Sequence, residues 1–586
     1  IVRGGDAQDT GAYVDGQRIP QLYHLLQGPS VLGEDMVDRI DFYPGGAGAY
    51  YGRNLAGVVA VTTRKGDAER YHGGASIDLQ KSSAYLQGPV DASTQFAVGG
   101  RVSYVNPLIK LILPAGTSQA VPVYWDYQGR VDHKLGEHDR LQLTIFGSND
   151  HLDTIGDQRG SVNISDNQQN GFHRARLAWE HGIGDALSLT VAPAIGWDTS
   201  GTTLLGQVQA ARPQTASSSA FSSGGRIELG WKPARFLDVR GGTDITFDRV
   251  SYQQDLLFDE QLRGLGAPNA EQKQVQGLQL FESFAEYLET ELRAGPLKLT
   301  PGVRVDVVHY TGRTFLRTDP RVWARVGAWT GAAFFGYWGV YHQAPQAAQL
   351  DGNTGNPGLL PLRADQVGGG LEQRVNADWS FKIEGWHVWR QNLVFPVAAA
   401  RLPDGTYSNP LLANSGRGEA YGLELLIRKE LTGKVYGWVS YTLSQSRQQA
   451  RRGEVWEATP FDQPHVFTML LGLRLSPYVE FASKVRIASG NPLTTLTRVT
   501  FNADSGDYVA AQSPLGTDRL PTFVQIDFEV NNVWVSDLFN MQLYVDFQNV
   551  LARDNPEALI YDYRYLRTAY VRGTPLSAAV GARVAF

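Results

Sequence analysis

The chain has 586 residues, 53 Lys and Arg against 59 Asp and Glu, a formal net charge of −6, 64 glycines and no cysteine. The missing cysteines exclude disulfides, thiolate metal sites and thiol catalysis, and a mildly acidic chain carries no basic footprint for nucleic acid. No run of about 18 consecutive apolar residues occurs, so no helix is expected to span a bilayer.

The chain starts with IVRGGDAQDTGAYVDGQ (1–17). This stretch lacks a basic start, an apolar middle and a small-residue cleavage site, so any targeting segment is expected upstream of it. Asp41 to Asp67 reads DFYPGGAGAYYGRNLAGVVAVTTRKGD. Glycines after an apolar stretch can open a dinucleotide-binding helix, but these glycines run into Val58, Val59, Val61, Thr62 and Thr63, which favour a strand. There is no helix start with an acidic ribose partner beyond them, and the nucleotide reading fails.

From about Arg70 onward the chain alternates with period two. The apolar patch PLIKLILPAG (107–116) carries Lys110 and is too short for an anchor. In AYGLELLIRK, Tyr421, Leu423, Leu425 and Ile427 oppose Gly422, Glu424, Leu426 and Arg428. In PTFVQIDFEV, Val524, Ile526 and Phe528 oppose Gln525, Asp527 and Glu529. In NMQLYVDFQNVL, Met541, Leu543, Val545 and Phe547 oppose Gln542, Tyr544, Asp546 and Gln548. Each is a strand with one apolar and one polar face. Such faces suit a soluble sandwich or a membrane barrel with a wet lumen. Some 500 residues of strands would need several sandwiches joined by linkers, and no linker composition is present, whereas a closed barrel has no edge and can continue unbroken.

The connections alternate short (near Glu137, Asp185, Pro233, Asn376 and Gly433) and long (such as 151–171, 255–276, 397–418 and 495–519), as in an outer-membrane barrel. The pattern predicts about 22 strands. Aromatic residues toward segment ends, among them Trp379, Trp386, Trp389, Tyr436, Trp438 and Tyr441, fit interfacial girdles. The last segment, LSAAVGARVAF, sets Leu576, Val580, Val584 and Phe586 on the outer face.

Together these stretches resemble a TonB-dependent outer-membrane receptor. The resemblance is carried by IVRGG (Arg3, Gly4), VDGQRIP (Asp15, Gly16) and RIDFYPGGAGAYYGRNLAGVVAVTT (39–63), and less specifically by TDPRVWARVGAW (318–329), YGLELLIRK (421–429), FDQPH (461–465), SGNPLTT (489–495) and DFQNVLARDN (546–555). It implies an all-β membrane protein, a transmembrane β-barrel of about 22 antiparallel strands with an N-terminal plug domain in its lumen. The expected boundaries are a plug over 1–67 and a barrel over 68–586. The glycines then serve sharp reversals and close contact with the wall. The plug is shorter than the family pattern and lacks the preceding segment that engages the energy-coupling protein. Both are expected upstream in a longer natural protein; a plug this short would put coupling in question.

The implied location is the bacterial outer membrane, in contact with its lipid. The implied function is import of a scarce substrate, a metal chelate, glycan or peptide, by plug remodelling driven through a TonB-type coupling protein. The alternative is a non-transporting scaffold that binds a protein or lipoprotein partner. Nothing in the sequence is arranged for catalysis, and no cofactor is expected. The resemblance pairs plug arginines with a wall glutamate, which makes Arg3, Arg53 and Glu424 the candidate plug–barrel latch; Glu424 facing lumen water is the other reading. Ligand-contact candidates are Tyr561, Tyr563, Arg564, Tyr565, Arg567 and Tyr570, which suit ring stacking and anion pairing and equally an interfacial belt or loop packing. Further candidates lie in 106–116, 151–167 and 501–508. NADSGD (502–507) and DGNTGN (351–356) offer oxygen donors for loop calcium, and Asx turns use the same letters.

Overall fold

The computed structural model describes residues 2–25, 28–104, 119–155, 166–204, 214–257, 272–352, 355–397, 411–502, 507–561, 565–573 and 575–586. Near the N-terminus four short strands form a sheet: β1 (Gly11–Val14), β2 (Gln17–Ile19), β3 (Val37–Tyr43) and β4 (Val58–Thr63), in the order β2-β1-β4-β3. β1 and β2 make a hairpin whose turn residues, Asp15 and Gly16, both have positive φ, the backbone that an Asp-Gly pair accepts in a two-residue turn. The Asp15 carboxylate also accepts from the Thr63 amide and hydroxyl, at 2.9 and 2.6 Å, tying the turn to the end of β4. β1 and β4 run parallel with Val14 level with Val61. The valine-rich run after the glycines is therefore the centre of the sheet, and Val14 and Val58 are fully buried.

Twenty-two antiparallel strands, from His72–Asp78 to Ser577–Ala585, close into a barrel, the last pairing with the first so that Gly581 faces Asp78. Side-chain alternation decides what each face meets. In Trp379–Pro396, Phe381 and Ile383 are 38% and 41% exposed, while Glu384 between them and Trp386 is 2% exposed. The same alternation leaves Leu423, Val580, Val584 and Phe586 on the exposed outer face. Apolar side chains predominate on the outer face of the described wall, which is the arrangement that lipid stabilises, with Glu282 and Glu286 exposed among Leu280, Phe284 and Leu288 as exceptions. Among the described residues no helix is long and apolar enough to cross a membrane.

Two details depart from the sequence expectations. Trp386 is no girdle residue: its position in the strand turns it inward, where it is buried against Tyr13 and Leu55 of the inner domain. Tyr436 likewise donates to Glu480 (2.6 Å) on the polar face. The loop end of the barrel is also not uniformly long. The hairpin Tyr310–Arg313 turns through Thr311 and Gly312 alone, both at positive φ.

The segments around the N-terminal sheet bond to wall strands on every side, including those of Asp150, Asp244, Gln366, Glu424 and Arg583. A body that bonds to strands all around a closed ring sits inside it. The glycine-rich run is where backbone and wall come closest. Gly46 has φ +67° and lies against the Tyr337 ring, and a β-carbon at Gly52 would overlap the Arg304 guanidinium. Both positions need glycine, one for conformation and one for space.

Candidate functional site

The candidate site is the contact between the inner domain and the wall. Three of its charged nodes, on different sides of the lumen, are built on buried groups; a fourth, Arg583 of the last strand with Glu34 (2.5 Å) and Asp35, is more exposed. The first is built on Arg3. Strand register sets Glu384 directly opposite Glu424, and like charges in that position repel. Arg3 lies between them, its Nε and Nη2 donating to Glu424 at 3.0 and 2.9 Å and its Nη2 to Glu384 at 2.5 Å. It also donates to the Tyr337 hydroxyl, and its guanidinium lies 4.9 Å from the Trp386 ring centre. Arg390 donates to the backbone carbonyls of Arg3 and Gly4 (3.0 and 3.2 Å), holding the turn that presents the side chain. Burial works against the Arg3 charge, but the hydrogen bond and charge of Glu424, with Tyr337 and Glu384, outweigh it and raise the pKa. Arg3 is a permanent cation.

The second node is built on Asp244. Arg53, at positive φ in the inner domain, donates to its Oδ2 at 2.9 Å. Two wall arginines share that same oxygen, Arg304 at 2.9 Å and Arg226 at 3.3 Å. Arg304 has a second carboxylate, Asp306, at 2.8 Å. Arg226 instead stacks on Tyr50, 3.7 Å from the ring centre.

The third node is built on His24, whose side chain is wholly buried. Its Nδ1 meets Asp150, and its Nε2 lies 3.2 Å from Asp126. The imidazole stacks on Tyr124 at 3.9 Å, while Arg101 reaches Asp126 (2.7 Å) and Gln21 donates to Asp150 (2.5 Å). A histidine with a carboxylate at each ring nitrogen satisfies both only as the doubly protonated imidazolium. Burial opposes that charge, but the hydrogen bonds and charges of Asp126 and Asp150 outweigh it, and the His24 pKa is raised.

Of the residues singled out in the sequence, Arg3 and Glu424 come together and Arg53 stands elsewhere, at Asp244. Glu384, Asp244 and the His24 set were missed. Their partners across the contact are more than a hundred residues away in sequence, and only the alternation that turns Glu384 inward was readable. In the tyrosine-rich stretch, Tyr561 and Tyr565 have ring centres 6.0 Å apart, in a hairpin of Pro556–Tyr561 with Thr568–Arg572. Arg567 and Tyr570 are exposed on it; Tyr563 and Arg564 lie outside the described residues, as do 106–116 and most of 151–167. Among the described residues no group of three or more His, Cys, Asp or Glu could hold a metal ion. Residues 353–354 and 503–506 of the two calcium candidates lie outside them, and Asp351 accepts from the Tyr252 hydroxyl at 2.9 Å.

The family model for the TonB dependent receptor-like β-barrel matches residues 111–550. The chain belongs to the TonB-dependent receptors. The family, one of receptors and transporters, places this TonB-dependent receptor in the bacterial outer membrane. No curated protein matches the sequence. Among solved structures the receptor is similar to the ferric-catecholate import receptor Fiu from Escherichia coli K12, with a TM-score of 0.72 and 14% identity over 100% of this chain and 90% of that one. It is similar to the ferripyoverdine receptor of the Pseudomonas aeruginosa outer membrane, solved with ferripyoverdine, with a TM-score of 0.73 and 14% identity over 100% and 81%. A third is the complex of FpvAI with pyocin S2, with a TM-score of 0.72 and 14% identity over 100% and 82%. At these identities the likeness is one of fold.

Proposed function

We propose that this receptor imports a metal chelate, with the inner domain as a plug that a TonB-type coupling protein displaces. The observation that carries this is how the plug is held. Beside apolar contacts such as Tyr13 and Leu55 with Trp386 and Val14 with Phe146 and Phe172, it is tied to the wall by buried ion pairs at Arg3–Glu384–Glu424, Arg53–Asp244 and His24–Asp126–Asp150. Ion pairs of this kind break and re-form as a unit when water or a competing charge enters, whereas an apolar interface would have to expose oily surface to move. Arg3 and Glu424 act as the latch on one side, and Arg53 with Asp244 on another. Two structural relatives bear names of iron-chelate receptors, which favours an iron chelate over a glycan or peptide. The exposed hairpin carrying Tyr561, Tyr565, Arg567 and Tyr570 is a first contact for the arriving ligand.

A second reading, a surface on which a protein docks without transport, is favoured by the relative solved with pyocin S2. Both are tested by uptake of radiolabelled ferric chelates into cells that carry the receptor as their only such importer. Import predicts accumulation of one chelate class that stops when a protonophore collapses the inner-membrane gradient. Accumulation that survives the protonophore, or none for any chelate, would contradict it.

A further inference from the structure

A cavity of about 580 Å³ lies between the inner sheet and the wall, along the strands from Asp166–Ile183 to Leu297–Tyr310, and reaches the loop end at Ala344 and Pro361. Its charges do not balance. Arg174 on its wall is answered by Asp198 at 2.5 Å. Asp244, by contrast, serves Arg53, Arg226 and Arg304 with one oxygen, and of these only Arg304 has another carboxylate. Among the described residues Arg226 keeps its Nε and Nη1 without a hydrogen-bond partner. Arg176, also in the lining, takes part in no ion pair among the described residues. Asp248 and Arg317 add one charge of each sign nearer the loop end.

Among the described residues Arg18, Arg176 and Arg226 thus border one cavity without a carboxylate of their own, Arg18 donating instead to the Arg53 carbonyl. Enclosed cations without counter-charge are unfavourable, and low-dielectric walls focus their field on the space between them. A planar carboxylate is the natural complement of a guanidinium fork. The space is much larger than an inorganic anion and of the size that holds small organic ligands. Tyr13, Tyr50, Val250, Phe281 and Val308 supply apolar surface for a ligand body.

We propose that this cavity binds an organic carboxylate with an aromatic or apolar body, gripped by Arg176 and Arg226. Arg53 is the inner domain's member of the Asp244 cluster, so a carboxylate that draws Arg226 away from Asp244 alters the hold on the inner domain. The proposal deepens the importer reading and rests on it for the cavity's place in transport, as a station between loops and plug.

The test is calorimetric titration of the purified receptor in detergent at low ionic strength. The probes are 4-hydroxybenzoate, its uncharged analogue 4-hydroxybenzamide, and sulfate. The expected result is saturable binding of 4-hydroxybenzoate alone, at least tenfold weaker in Arg176→Gln and weakened less in Arg176→Lys, which keeps the charge but not the fork. Arg176 is in no ion pair among the described residues, so its substitution breaks none, whereas Arg226→Gln would also disturb Asp244. No saturable binding to the wild type, unchanged binding in Arg176→Gln, or equal binding of the amide or of sulfate would overturn the proposal. Titration needs no energy source, so the two readings fail separately: binding without cellular uptake removes the importer and keeps the site, and uptake without binding does the reverse.

Discussion

The Arg3 and His24 nodes solve one problem with different chemistry. Each brings a cation from the inner domain between two wall carboxylates, Glu384 and Glu424 for Arg3 and Asp126 and Asp150 for His24. Arginine cannot lose its proton at any pH the protein meets, so the first node changes only if another charge displaces a partner. Histidine titrates near neutrality, so the second also answers to protons. The comparison teaches that the inner domain has a permanent anchor on one side and a conditional one on another.

Removing the permanent anchor is the most damaging way to break this symmetry. Arg3→Ala removes the cation that Glu384 and Glu424 share, leaving Glu384 only Lys382 at 3.0 Å, and breaking a buried pair costs about 3–5 kcal/mol. The expected outcome is faster proteolysis of the inner domain in membranes, with partial recovery in Arg3→Ala/Glu424→Gln because one of the two repelling charges is gone.

A charge on the outer face instead strikes the wall and not the nodes. Leu423 is next to Glu424 but points outward and is 47% exposed. Leu423→Arg places a cation in lipid at a cost of about 2–4 kcal/mol near the bilayer midplane, read as a lower folded fraction by heat-modifiable gel mobility. Neighbouring residues then fail in different assays, because one faces the lumen and the other lipid.

The subtlest effect is that of pH on His24. Its folded pKa is raised above the unfolded value, about 6.5. The stabilisation its contacts supply is therefore complete below that value and is lost as pH rises through the folded pKa. Protection of residues 20–25 from hydrogen exchange should fall as pH increases, after correction for intrinsic rates, while the backbone of Gly4 and Gly5 beside Arg3 shows no such change. His24→Gln should abolish the pH dependence.

The wall was legible in the sequence because alternation is local: Leu423, Val580 and Phe586 declare their face by the parity of their strands. The nodes were not. That Glu384 lies opposite Glu424 is a matter of register between two strands, and neither strand alone states it. Trp386 was misplaced because aromatic residues near a segment end suit both a girdle and an inner-domain contact, and only strand parity separates the two. His24 looked like one scattered histidine because its partners come from strands that begin at Gln119 and Asp139. The glycine run was readable as scaffold, but the demands on Gly46 and Gly52 come from Tyr337 and Arg304, which are distant in sequence.

The central claim is that the inner domain is held by ion pairs with the wall and can loosen while the barrel stays folded. Hydrogen–deuterium exchange of wild type and Arg3→Ala, in detergent or lipid, tests it most directly. The account predicts faster exchange in β1 and β4 of the variant, with unchanged protection in wall strands such as Leu237–Leu257 and Phe523–Val535. Equal protection of the inner sheet in both proteins, or loss of protection in sheet and wall together, would contradict it.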